Sequence, residues 1–129
     1  MHHRTGRTCK LRLELARQIG CPEGDPHTAY ELTVPLNPDG HIDATSWQDD
    51  PAACGVRRIR PNRPDATGVL ARTARGRWFF DYHSGHDGED HQGIRLGDDR
   101  FVPRAVVCIN EDDGRTHAFR VVSIDTVVQ

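Results

Sequence analysis

The sequence predicts an all-β protein, a small antiparallel barrel or rolled sheet of seven to eight strands with one short helix. Three observations point there. Apolar residues recur at a period of two in one segment after another, as in Leu11, Leu13 and Leu15. Clusters of glycine, proline, asparagine and aspartate separate these segments. Only one short stretch, around Trp47, departs from the alternation in favour of a helical turn. A chain of 129 residues suits one domain with its own core. Closing the sheet protects strand edges that would otherwise pair with neighbours.

Each element has a local reason. Leu11 to Leu15 alternates with Arg12 and Glu14, predicting a half-buried strand over 9–17 behind a flexible leader at 1–8. Gly20 to Pro26 is a loop, because proline fixes φ and glycine admits positive φ. Tyr30, Leu32, Val34 and Leu36 form the second strand, 29–36, which Asn37-Pro38-Asp39-Gly40 ends. Asp43 is placed to cap a helix over 44–50, with Trp47 as its apolar anchor and Pro51 as its limit. A short strand around Val56 and Ile59 runs into Pro61-Asn62-Arg63-Pro64-Asp65, and a fourth covers 67–73. Ala74-Arg75-Gly76 then turns the chain into Arg77 to His83, with Trp78, Phe80 and Tyr82 on one face. A short strand is expected over 93–96. Arg104 to Asn110 is apolar on both faces around Val106 to Ile109, which predicts a strand buried on both sides, with Cys108 in the core. Asp113-Gly114 makes a hairpin turn into a long last strand, 116–126.

Composition excludes several functions. With 17 basic and 19 acidic side chains the chain is no strongly basic nucleic-acid binder. Sixteen of the 17 basic residues are arginine, so only Lys10 could serve a phosphate loop or a Schiff base, and its setting suits neither. The simplest account of the arginine bias is GC-rich coding, so it does not count as evidence for phosphate or RNA binding. The spacings of dinucleotide-binding glycines, nucleophile elbows and helical zinc proteases are absent. Cys9, Cys21, Cys54 and Cys108 are too scattered for a zinc knuckle or a redox pair and read as reduced thiols. A polar start without an apolar leader predicts a cytoplasmic protein. The longest apolar run, Ala105 to Ile109, is far short of the roughly 18–20 residues of a spanning helix, so no membrane partner is expected.

Phe101-Val102-Pro103, Val106-Val107-Cys108-Ile109, Asp113-Gly114 and His117 to Ser123, together with Trp78-Phe79-Phe80-Asp81-Tyr82, carry a resemblance. Over most of residues 10–127 the chain resembles small bacterial proteins of about this length to which no function is attached. The resemblance implies a single β-barrel domain and brings over no catalytic or binding residue.

Candidate chemistry follows the charge blocks. Residues 18–50 carry seven acids and no base, 57–77 seven arginines and one acid, and 81–99 six acids and one arginine. The simplest account is complementary charge on neighbouring strands. The functional reading is a basic sheet face of Arg58, Arg60, Arg72 and Arg77 beside Trp78, recognising a small anionic ligand or an acidic protein surface without catalysis. Nucleic acid ranks behind these partners, since the eight aromatics fall at core periodicity. The alternative is a metal-binding protein or metal-dependent enzyme using segment 81–91, where Asp81, His83, His86 and His91 supply imidazole and carboxylate donors. A transition metal would be the cofactor on that alternative; the principal reading needs none. The segment fails as a calcium loop, having Gln92 and Asp98 where glycine and glutamate are required. Cys54 and Ser84 lack an orienting third residue and are not read as nucleophiles.

Overall fold

The computed structural model describes residues 7–16, 24–82, 95–96, 100–110 and 116–127. Eight strands follow in chain order: β1 (Arg7–Leu15), β2 (Asp25–Leu36), β3 (Gly55–Ile59), β4 (Ala66–Arg72), β5 (Trp78–Tyr82), β6 (Arg95–Leu96), β7 (Val106–Asn110) and β8 (Thr116–Thr126). Every strand pairs antiparallel with the next, and β8 returns to pair with β1. The fold is therefore the all-β antiparallel barrel that the alternation predicts. One short helix, α1 (Ala44–Asp49), and a 3-10 turn at Pro51–Ala53 lie between β2 and β3.

Period-two patterning sets the barrel's inside. Leu11 and Leu13 of β1, Tyr30, Leu32 and Val34 of β2, Val56 of β3, Leu70 of β4 and Phe80 of β5 are all buried in one core. Val107 and Ile109 of β7 and Phe119 and Val121 of β8 complete it. Each such side chain contributes roughly 1.5–3 kcal/mol on leaving water. Register holds the faces together: Leu13 lies opposite Tyr30, Leu70 opposite Phe80 and Ile109 opposite His117. Two irregularities in β1, between Arg12 and Leu13 towards β8 and between Glu14 and Leu15 towards β2, bend the wall where it closes.

One end is closed by local structure. Asp43 caps α1 by accepting from the Thr45 N–H at 3.3 Å and the Ser46 hydroxyl at 2.8 Å. Trp47 donates its indole N–H to the Leu70 carbonyl at 3.0 Å and meets Trp78 edge-on at 5.2 Å. Buried Phe101 covers the same end, its N–H on the Gly40 carbonyl at 2.7 Å. Gly40, at φ 93°, stands where a side chain would be both strained and crowded by Val102.

Several boundaries shift from those expected. β1 starts at Arg7, inside the expected leader, and β2 starts at Asp25, four residues early. The largest correction concerns β7, which is not buried on both sides. Val107 and Ile109 point into the barrel, but Val106 is 49% exposed and Cys108 also faces outward. A barrel wall has one inner face, so a strand apolar on both faces leaves half its side chains in solvent. Arg104 is not in the strand: it turns at φ 70° and its N–H reaches the Val121 carbonyl at 3.0 Å.

Candidate anion-binding site

The inward arginine follows from strand parity. Val56 enters the core, Arg57 faces outward, and Arg58, two residues after Val56, faces inward again. Arg58 lies opposite Tyr30 on β2 and Ala66 on β4. It is 9% exposed, the one charged side chain buried among the described residues. Its guanidinium carbon sits 5.8 Å from the centre of the Tyr30 ring, within cation–π range.

The floor below it is aromatic. Tyr30 touches Phe80 at 5.4 Å and Phe119 edge-on at 5.0 Å, and all three are fully buried. They come from β2, β5 and β8, so the three rings bridge the lumen from different parts of the wall. Other polar groups share this end. Arg60, two residues beyond Arg58, has a buried Nε, and Tyr82, at the end of β5, has a buried hydroxyl oxygen. His117 is half-buried and opposite inward-facing Ile109. Leu15, packed against the core, ends β1 on the same side.

Carboxylates occupy the outer surface. Arg12 bridges Glu14 and Glu31, both at 2.8 Å, and Arg57 reaches Glu31 at 3.5 Å and Asp65 at 2.7 Å. This ladder crosses β1, β2 and β3 and continues to Asp65. Hydrogen bonding to Glu14, and then Glu31, favours the charged form of Arg12 and raises its pKa against the opposing effect of burial. Asp65 acts in the same direction on Arg57.

The expected basic face is divided in two. Arg58 and Arg60 lie at the aromatic-floored end, whereas Arg72, Arg77 and Trp78 belong to the β4–β5 hairpin beside α1. Ala66, opposite Arg58, is six residues from Arg72, roughly 20 Å along β4. Arg58 and Trp78 are buried, so neither is part of an exposed sheet face. Arg72 is exposed and lies 4.8 Å over the Trp78 ring, with its Nε donating to the Gly76 carbonyl at 3.3 Å. Arg77 is exposed, its backbone N–H on Thr73 Oγ1 at 3.0 Å. Burial of Trp78 and Phe80 agrees with aromatics at core periodicity.

Of the alternative metal ligands, Asp81 is on the outer face of β5, and His83, His86 and His91 lie outside the described residues. Among the described residues no three histidines, cysteines or acids gather as a metal site. No helix among them is long and apolar enough to cross a membrane. Sequence reasoning missed the inward placement of Arg58 and the company of Tyr30, Tyr82 and His117. The parity of Val56 and Arg58 carried the first; the others depend on register between strands distant in sequence. No family model, curated protein or solved structure matches the chain.

Proposed function

We propose that this barrel is a non-catalytic binding module that takes a small anionic ligand at the Arg58 end. The supporting observation is that Arg58, 9% exposed and set against the Tyr30 ring, turns into the barrel instead of outward. A guanidinium is the side chain best shaped to meet a planar anion, and held inside the wall it would meet a ligand that enters the barrel. Arg60 lies two residues further along the chain and adds a second cation at the same end of the barrel. A side chain so enclosed suits a small ligand and not a flat acidic protein surface, which narrows the partner class.

Isothermal titration of the intact chain with benzoate, hexanoate, phenyl phosphate and inorganic phosphate tests the reading. Binding of at least one anion is expected, weakened tenfold or more by Arg58→Met and unchanged by Arg72→Ser. Equal binding by the Arg58→Met protein, or loss in Arg72→Ser alone, would overturn it.

A further inference from the structure

We infer that two copies of this chain associate through their α1 ends, each copy's β4–β5 hairpin reaching the other's α1 across a two-fold axis. The anion site lies at the opposite end of the barrel, so this inference stands apart from it. The first ground is the hairpin tip, where Arg72, Arg75 and Arg77 are all exposed. The turn that carries them is well fixed. The Thr73 N–H reaches the Arg77 carbonyl at 2.8 Å, the Gly76 N–H reaches the Thr73 carbonyl at 2.9 Å, and Thr73 Oγ1 accepts from the Arg75 N–H at 3.2 Å. Arg72 lies on the Trp78 ring with its Nε on the Gly76 carbonyl, so its Nη groups are what it offers a partner. None of the three arginines forms an ion pair among the described residues.

The helix beside the hairpin supplies the second ground. Asp49 and Asp50 are exposed at the C-terminal end of α1, whose last turn holds no basic residue. Helix carbonyls already place negative charge there, so a cation brought from outside is favoured. Neither carboxylate forms an ion pair among the described residues. Trp47 pins α1 to the Leu70 carbonyl and the Trp78 ring, and the 3-10 turn packs on β4, so helix and hairpin share one end without closing on each other. That turn exposes Pro51, Ala52 and Ala53, a small apolar strip that follows the two acids. The third ground is symmetry. A face with cations on one side, carboxylates on the other and an apolar strip beside them complements itself after a half-turn, as a two-fold interface requires. Each guanidinium then meets a carboxylate, twice over. An acidic protein or a nucleic-acid backbone would suit the hairpin but set its own negative charge against Asp49 and Asp50.

Analytical ultracentrifugation of the intact chain at high micromolar concentration tests this. A reversible monomer–dimer equilibrium is expected, weakened about tenfold or more between about 0.05 M and about 0.5 M salt. Two charge-reversed proteins sharpen the test: Arg75→Glu with Arg77→Glu, which leaves Arg72 on Trp78, and Asp49→Arg with Asp50→Arg. Each alone is expected to be monomeric, because like charges then meet at both contacts. Mixed in equal amounts they are expected to form a heterodimer, because opposite charges return at both, and a misfolded variant could not be rescued in this way. A parent that stays monomeric would overturn the inference, as would a parent dimer that neither pair of reversals weakens. Variants that are monomeric alone and remain so when mixed would overturn it too. Growth of the parent beyond a dimer would replace the two-fold contact by a head-to-tail one and overturn the symmetry claimed.

Discussion

Gly68 shows how one missing side chain shapes the wall. A Cβ at this position would run into the Asp81 carbonyl oxygen and stand 2.6 Å from the Tyr82 Cα. Both obstacles are backbone, so β4 can approach β5 this closely only with glycine. Gly68→Ala is expected to cost at least about 1–3 kcal/mol in urea denaturation, as overpacking does; an unchanged midpoint would show that the strands part easily. Cys54 makes a second residue-scale case. Burial, helped by the nearby Asp50 carboxylate, pushes its thiol up to about 11. The folded thiol ionises later than the unfolded one, so its share of stability is whole below pH 9 and is lost as pH rises towards 11. That slope should be shallower in Cys54→Ala. Burial also raises the Cys9 thiol. In a protein carrying Cys21→Ser and Cys108→Ser, an aromatic disulfide reagent at pH 8 should find no reactive thiol until denaturant exposes two. Arg58 was legible at this scale from Val56 by parity alone, although its proximity to Arg57 in a run of charge suggested an exposed face.

At the scale of elements, the helix and the long strands were the most legible parts. Asp43 reads as a cap because its short carboxylate can reach the first free N–H groups, and it does. Trp47 reads as the anchor and is fixed by the Leu70 carbonyl and the Trp78 ring. Asp43→Ala should therefore cost about 1 kcal/mol, and Trp47→Ala about 3 kcal/mol, both read by urea unfolding. A Trp47→Ala protein as stable as the parent would show that α1 does not close the barrel. β8 was legible to the residue, 116–126, since a long alternating run following Asp-Gly leaves little freedom. β7 was misread because continuous apolarity cannot distinguish a doubly buried strand from a wall strand with an apolar outer face. The Arg12–Glu31–Arg57 ladder was legible as charge blocks but not as pairs. Pairing depends on register, which sets Arg12 opposite Glu31 and Glu31 opposite Arg57.

Across the whole molecule, the two barrel ends differ in chemistry. The α1 end is sealed by Trp47, Trp78 and Phe101, with Arg72 stacked outside. The other brings together Arg58, Arg60, Tyr82 and His117 above an aromatic layer. The architecture was readable in the sequence because alternation and turns are local. The site was not, because it assembles from β3, β5 and β8, and because Arg58 and Arg72, only fourteen positions apart, belong to opposite ends. Thermal unfolding of the parent and Arg58→Met proteins, each with and without millimolar benzoate, tests a binding role for Arg58. If Arg58 serves binding, benzoate raises the parent's Tm, and Arg58→Met gains nothing from it. A benzoate-induced rise as large in Arg58→Met as in the parent would contradict the assignment.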